Sequence, residues 1–513
     1  MSSSSIQGFL YNALRGEFCW STIAVWVTIL TTGLLAMRNL AVSKGTDRKG
    51  KRLPPGPSGL PVLGYLPFVR KSYHVTFKEL SDHYGPIFRV RLGSKDVVVL
   101  NDVASVREGL NNEDVLYRPE DFVFRYLDTK GVGGLNGEMW QANRRYCFQV
   151  LRNLGFAKKS MEKHMQEEIQ SFTKLLELSK ERPVTLAQQL TASVANNMSA
   201  LVFGERYDHH DPRGRLVAEL LTNFLQNANF FSLADFLPAV RFFALYLPCT
   251  RLRSINYVFK EFKKLIRTEI SSREQVMDQY KDRDFIDGYL RMVKENNGDN
   301  SHYTLKTLEA NSINFYSAST NTVRTAILWN LYIAASDPDG HQARIQREID
   351  AVVGKLRAPE WDDRLRMPFT MASIMEMLRW RTISPLGISR TAARDTVICG
   401  YDVPAGTVVA ANFWSLHNDP AYWHCPSKYD PTRFLNADGT AVKEKPMAFL
   451  PFSMGKRRCP GETLAMMEIF LYTTTVLQKF KVLPDEEKEI LLDGHDVLLN
   501  VMDDTQGLRF LLR

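Results

Sequence analysis

One ten-residue stretch near the C-terminus carries the residues best suited to chemistry, Phe452-Ser-Met-Gly-Lys-Arg-Arg-Cys-Pro-Gly461. Cys459 is its reactive atom-bearer, and the thiolate, not the thiol, is the nucleophile and metal ligand. Arg457 and Arg458 place positive charge beside it in sequence, and an adjacent cation favours the thiolate. Gly455 permits a tight turn closed to residues with a Cβ. A second set lies at Ala318-Ser-Thr-Asn-Thr-Val323, where hydroxyl and amide side chains crowd a stretch that a plain core helix would fill with Leu and Ala. Close helix packing is one reading of it. The other is a bent helix, because Ser and Thr side chains can compete for backbone carbonyls. A third set is Trp140 and Arg144, four apart and so on one helix face, the planar guanidinium being suited to a carboxylate. Glu376 and Arg379 form an i, i+3 pair, with Arg433 downstream as a third member.

These residues need rigid elements to hold them. Pro460, Gly461 and Glu462 read as the start of a helix, with proline at its first position and the acid at the positive end of the dipole. Cys459 would then sit just ahead of a helix N-terminus. The segment Tyr303 to Ser336 reads as one helix of roughly 50 Å at 1.5 Å per residue. Alternation of Phe88, Val90 and Leu92 with Arg89 and Arg91, followed by Val97–Leu100, predicts a β-hairpin between Pro86 and Asn101. The stretch after Gly400 has hairpin chemistry too, and residues 155–300 are mostly amphipathic helix. His417 reads as a loop histidine rather than a ligand. The glycine-rich run Gly131–Gly137 lacks the G-x-x-x-x-G-K-[ST] pattern and is not read as a nucleotide loop.

The chain has 513 residues, 44% hydrophobic and 24% charged, ordinary values for a protein with a large core. A net charge of +8 without a long like-charge run gives no reason to expect a nucleic-acid partner. Its six cysteines are scattered without zinc spacing, so structural disulfides are not expected and five of the six read as packing residues. Phe18 to Met37 is uncharged and close to the roughly 20 residues of a bilayer-spanning helix. A signal peptide would be shorter in its apolar core and end in a small-residue cleavage site. Here Arg38, Lys44, Arg48, Lys49, Lys51 and Arg52 follow instead, which by the positive-inside rule leaves the rest of the chain in the cytosol. Four prolines in Leu53–Pro61 make a stiff, extended hinge. The expected organisation is an anchor over 1–37, a basic and proline-rich hinge over 38–61, and a catalytic domain over 62–513.

Phe, Gly, Arg, Cys and Gly at offsets 0, 3, 5, 7 and 9 from Phe452 closely resemble the haem-thiolate signature of the cytochrome P450 family. Trp140/Arg144, the long helix, Glu376/Arg379 with Arg433, and the turn Ser384-Pro-Leu-Gly-Ile-Ser-Arg390 follow the family's order, and their wording is most similar to the animal microsomal family-2-like clan. The resemblance implies a mainly α fold with a smaller β-rich subdomain, preceded by a single transmembrane helix. It implies haem bound through Cys459, with thiolate donation favouring O–O cleavage. Trp140, Arg144, Arg390 and Arg457 would contact the haem propionates, Thr322 would steer protons, and Glu376, Arg379 and Arg433 would be structural. Ser319 and Asn321 depart from the family pattern, the second by removing a carboxylate that can shuttle a proton.

By the same resemblance, electrons come from NADPH through a reductase, met by a basic face at Lys456, Arg458 and Arg145, with cytochrome b5 as a further partner. The location implied is the endoplasmic reticulum membrane, with the catalytic domain in the cytosol. The aromatic-rich run 223–247 reads as core by default, and in the family as a lid that touches membrane lipid. Phe122, Phe124, Phe230, Phe231, Ala318, Leu386, Ile388 and Met502 are the expected substrate pocket, implying an apolar ligand such as a lipid, steroid, terpenoid or foreign compound. Monooxygenation leads among the activities. A hydroperoxide isomerase or dehydratase, which needs no acid on the long helix, stays open through Asn321, as does haem binding without turnover.

Overall fold

The long helix is the axis on which the other elements pack. The computed structural model describes residues 51–70, 72–120, 128–208, 211–227, 233–237, 250–274, 282–296, 302–441, 444–486, 490–492, 494–496, 500–502 and 506–513. Phe18–Met37 lies outside this set, and among the described residues no helix is long and apolar enough to cross a membrane.

The chain enters along the edge of a small sheet. The backbone N–H of Arg89 donates to Pro55 O at 2.7 Å and that of Asp402 to Arg52 O at 2.8 Å, so the proline-rich segment is pinned to the domain rather than swinging clear of it. A Cβ at Gly56 would lie 1.7 Å from Arg89 O, which makes glycine obligatory at this close approach. Helix α1 (Tyr73–Tyr84) leads into β1 (Ile87–Leu92) and β2 (Lys95–Leu100), the hairpin that alternation predicted, with Val90 opposite Val97. Helices α2 (Val103–Asn111), α3 (Gly137–Asn153), α4 (Lys159–Glu177), α5 (Ala187–Val202), α6 (Pro212–Asn227), α7 (Arg251–Glu274) and α8 (Phe285–Glu295) build the helical body.

Helix α9 (Leu305–Ser336) runs through that body and packs against α5, α6, α7 and α8. It starts two residues later than the sequence pattern suggested because Thr304 caps it. Thr307 N–H donates to Thr304 Oγ1 at 3.1 Å, and Thr304 N–H donates back to Thr307 Oγ1 at 2.8 Å, satisfying two otherwise orphaned donors. Helix α10 (Ala343–Val352) and α11 (Pro368–Arg381) follow, then β3 (Arg390–Thr391), β4 (Thr396–Ile398), β5 (Tyr401–Val403) and β6 (Val408–Ala411).

Strands β1, β2, β6 and β3 form one sheet in that order, with β2 and β6 parallel. Val97–Leu100 and Val408–Ala411 are buried throughout, as expected for central strands covered on both faces. The hairpin after residue 395 turns at Cys399 and Gly400, both at positive φ (49° and 75°), so its first strand precedes the stretch after Gly400 that has hairpin chemistry. A short helix α12 (Phe413–His417) leads to the cysteine loop, and α13 (Glu462–Lys479) packs against α9 and α4 before β7 (Phe480–Pro484) pairs with β10 (Leu508–Leu512); β8 (Gly494–Asp496) and β9 (Asn500–Met502) form a separate hairpin. The result is mainly helical with a small sheet region.

Candidate haem-binding site

The cysteine loop is shaped by its own backbone. Cys459 N–H donates to Phe452 O at 2.9 Å and Arg458 N–H to Gly455 O at 3.1 Å, folding the stretch back on itself. Gly455 sits at φ 72°, and a Cβ there would come within 2.4 Å of Leu110 O. Helix α13 begins at Glu462 with Gly461 as N-cap. Pro460 therefore precedes the cap, instead of occupying the first helical position as its fixed φ suggested.

The sulfur opens onto a cavity of about 400 Å³ between α13 and α9. Burial and the neighbouring positive charge act on its basicity in opposite directions. Burial raises the thiol pKa, and the Gly461 N–H and Arg144 only partly oppose that shift. Arg457, two residues away in sequence, reaches elsewhere: its Nε donates to Leu116 O at 2.8 Å and its Nη2 to Leu135 O at 2.6 Å. The protein alone therefore favours the thiol, whereas a coordinating cation would hold it deprotonated.

Five arginines line the same cavity, and four of them, Arg118, Arg144, Arg390 and Arg457, donate to backbone carbonyls. Arg390 donates to Leu110 O at 2.6 Å and Met454 O at 2.9 Å; Arg144 donates to Arg458 O at 3.1 Å. The guanidinium of Arg457 stacks 3.7 Å from the Trp140 ring centroid. Arg118 is the member that sequence reasoning missed. It follows no motif, yet it is buried and donates to Gly133 O, Ile388 O and Ser389 O at 3.1, 2.5 and 2.9 Å.

Every hydrogen-bond acceptor just named is a neutral carbonyl, and no carboxylate pairs with any of the four among the described residues. Burial and mutual repulsion push Arg118 well down and Arg457 to about 9, while burial alone takes Arg390 to about 10. Trp140 Nε1–H is buried and meets no acceptor. A cradle of unneutralised arginines with an orphaned N–H is short of anions, and a bis-carboxylate ligand seated above Cys459 would supply them. The residues present fit haem.

Across the cavity, α9 presents Ala318 and Thr322, with Leu386 and Ile388 on an adjoining wall. Thr322 Oγ1 donates to Ala318 O at 2.7 Å and Ser319 Oγ to Phe315 O at 2.7 Å, each one turn back along the helix. Both side-chain amide atoms of Asn321 are buried without a partner, as is Thr320 Oγ1. Phe148, Phe156, Phe224, Phe259, Phe315 and Phe413 also line the cavity. Of these, only Phe224 lies in the aromatic run that sequence singled out. Phe122, Phe124, Phe230 and Phe231 lie outside the described residues, and Met502 is in β9, whose side chains fall outside them too. Of the proposed basic face, Arg145 and Lys456 are exposed, Lys456 pairs with Glu113, and Arg458 borders the cavity.

Glu376 and Arg379 lie behind the loop in a bidentate pair, 2.7 Å in both bonds and both fully buried. Arg433 adds a contact of 3.2 Å to the same carboxylate. His417 proves to be buried at the end of α12 rather than free in a loop. Arg379 donates to its carbonyl at 2.8 Å, Leu450 N–H donates to its Nε2 at 3.0 Å, and its Nδ1 meets Thr382 Oγ1 at 2.9 Å. Burial and Arg379 lower its pKa to about 3, so the imidazole is neutral and joins the network to the loop as a fixed hydrogen-bonding strut.

A mainly helical body around one long helix, with a cysteine facing a hydroxyl-bearing turn across an anion-hungry cavity, defines the haem-thiolate class. The cytochrome P450 family model matches residues 54–503. Cytochrome P450 1A5 of Gallus gallus is 34% identical over 452 residues, 84% of this chain and 84% of that protein. Cytochrome P450 2A12 of Mus musculus is 33% identical over 88% of this chain and 93% of its own length; for cytochrome P450 2B4 of Oryctolagus cuniculus the values are 33%, 94% and 99%. The chain belongs to the cytochrome P450 family, and it is an oxidoreductase whose cofactor is haem.

The orphaned indole gives one prediction. Trp140→Phe keeps the stack on Arg457 but removes the N–H, so haem affinity should fall about tenfold, the scale of one hydrogen bond to a charged group. Transfer of haem to apomyoglobin measures it, and an unchanged transfer rate would show that Nε1 does not face a propionate.

Proposed function

We propose that this protein is a membrane-anchored monooxygenase that inserts one oxygen atom of O2 into an apolar small molecule, with electrons from NADPH delivered by a reductase. The observation that carries this is Cys459 facing Thr322 across a cavity rimmed by Trp140 and four arginines without anionic partners. Arg118, Arg144, Arg390 and Arg457, with Trp140, would bind the two propionates and fix the ring's orientation. Cys459 would hold the iron from the α13 side. Haem, when bound there, supplies the dioxygen chemistry, and an anionic sulfur ligand favours O–O cleavage.

The chain's own residues do the rest. Ala318, Leu386, Ile388 and the aromatic walls hold an apolar substrate and exclude water. Thr322 Oγ1 holds its proton on Ala318 O and can turn it toward the cavity by one χ1 rotation. Glu376, Arg379 and Arg433 brace the loop. The uncharged stretch Phe18–Met37 and the cations after it support an anchor in the endoplasmic reticulum membrane with the catalytic domain in the cytosol. Lys456, Arg458 and Arg145 support an acidic electron-donor surface, for which a reductase and cytochrome b5 both qualify.

The test is turnover of the haem-loaded protein against a panel of lipids, steroids, terpenoids and foreign compounds. Product formation that requires both NADPH and reductase is expected. Rapid conversion of a lipid hydroperoxide without either would replace this reading with the isomerase one. Ligand-induced haem spectra without any turnover would leave a haem-binding protein.

A further inference from the structure

A second cavity, of about 170 Å³, lies between α5, α6 and the turn after α5, and shares no lining residue with the haem cavity. Ala195, Ser199, Tyr207, Val217 and Ala218 form its buried interior, while Gln188, Asp208 and Arg215 are exposed at its rim.

Tyr207 is fixed at both its backbone and its ring. Its N–H donates to Asn196 Oδ1 at 3.2 Å, and Asn196 Nδ2 donates back to Tyr207 O at 2.9 Å. The Arg213 guanidinium stacks 4.8 Å from the ring centroid and is itself paired with Asp211 and Glu205 at 3.1 and 3.0 Å. Yet Tyr207 Oη is buried and meets no hydrogen-bond partner among the described residues. Burial and the acids Glu269 and Glu205 raise its pKa, so the hydroxyl keeps its proton to donate. From α5, Gln189 Oε1 is also buried and has no donor among the described residues. The other polar groups are committed. Ser199 Oγ accepts from Tyr316 Oη at 2.8 Å and donates to Ala195 O at 3.1 Å, and Asp208 and Arg215 have interactions of their own.

A buried donor and a buried acceptor left bare on one cavity are costly, and a hydroxyl group answers both, since it accepts and donates at once. Asp208 and Arg215 put one charge of each sign at the rim, which favours a neutral molecule over an ion. The volume is close to the roughly 150 Å³ of a cavity that holds benzene, so a single ring fits.

We infer that this cavity is an effector site for a small neutral molecule with an apolar ring and a hydroxyl group, which accepts from Tyr207 Oη, donates to Gln189 Oε1 and tightens ligand binding in the haem cavity. The site needs neither dioxygen nor a reductase, so it goes beyond the monooxygenase reading and does not rest on it. The path between the cavities is short. Ser199 borders the small cavity and its neighbour Met198 the haem cavity. Tyr316, bonded to Ser199, lies between Phe315 and Ser317, which line the haem cavity from α9. A molecule bridging Gln189 to Tyr207 ties α5 to the start of α6, so a ligand entering the haem cavity has less of either helix left to order.

Titration of the haem-loaded protein with 4-phenylimidazole, followed by the shift of the haem absorption band, tests this with phenol as the probe. Phenol should lower the apparent dissociation constant about fivefold, the small end of usual coupling between sites, and the effect should level off as phenol saturates. Tyr207→Phe keeps the ring under Arg213 but removes the hydroxyl, and should lose most of the effect. Ala192→Leu fills the cavity and should lose it too. Both variants should keep the parent affinity for 4-phenylimidazole alone, and a retained carbon-monoxide spectrum shows that each is folded. A dissociation constant that rises with phenol places the probe in the haem cavity and overturns the inference. One that does not change overturns it as well, the small cavity then holding only water, and so does an effect undiminished in either variant. The titration uses neither NADPH nor substrate, so its failure is distinct from failure of the monooxygenase reading.

Discussion

Cys459→Ser should abolish the absorption band of thiolate-ligated haem in the reduced, carbon-monoxide-bound protein and cut NADPH-dependent turnover by roughly a thousandfold or more, about 4 kcal/mol of barrier. The reason lies in the donor atom. A coordinated thiolate pushes electron density onto iron and favours O–O cleavage; a serine hydroxyl is a harder, far weaker acid and gives up neither its proton nor its charge as readily. The substitution isolates that effect because the fold does not depend on the sulfur. The loop is held by the Cys459 N–H to Phe452 O and by Arg458 N–H to Gly455 O, both backbone bonds that serine keeps. The side chain faces the cavity, so one atom changes where there is room for it. The serine protein should still take up haem, because Trp140 and the four arginines are untouched. Retention of the thiolate band would mean that some other residue ligates the iron, and the assignment of Cys459 would fall.

Much of this site could be read from residue type and short-range spacing, because the relevant motifs are local. The i, i+3 pair of Glu376 and Arg379 needs only a helix to bring it together, and the hairpin at 87–100 needs only alternation. What could not be read is convergence through space. Arg118 has no motif around it, and only the folded chain shows that its guanidinium reaches Gly133, Ile388 and Ser389. His417 looked like a loop residue because Asn418, Asp419 and Pro420 follow it, yet those residues terminate a buried short helix. Proximity in sequence also misled. Arg457 is two residues from Cys459, but its side chain turns away to Leu116 and Leu135. Glu468 belongs to no motif, and its sequence neighbours give no sign that it meets a cavity. Loss of water raises the pKa of the Cys459 thiol and of the Glu468 carboxyl more than any neighbouring charge does, and how much water a side chain loses is set only when the chain folds.

Glu376→Gln should destabilise the protein by about 3–5 kcal/mol, the usual cost of breaking a buried ion pair from one side. Glutamine keeps the shape and one acceptor, but its amide N–H would meet the guanidinium of Arg379. That cation, fully buried, and Arg433 would then have no anion, while water stays excluded. The damage should travel along identifiable bonds. Arg379 holds the His417 carbonyl at 2.8 Å, His417 Nε2 accepts from Leu450 N–H at 3.0 Å, and Leu450 lies two residues before Phe452, whose carbonyl fixes Cys459. Loosening the first link should therefore weaken thiolate ligation without touching the cavity. Urea denaturation of the haem-loaded protein reads the stability, and the share of thiolate-type carbon-monoxide band after incubation at moderate temperature reads the loop. A separate Leu450→Pro variant, which removes the N–H bound by His417, should reduce that share while leaving the Glu376 pair intact. If Glu376→Gln instead unfolds within about 0.5 kcal/mol of the parent protein and keeps its band, the pair is not what braces the cysteine loop, and the support must come from the α13 and β-sheet side.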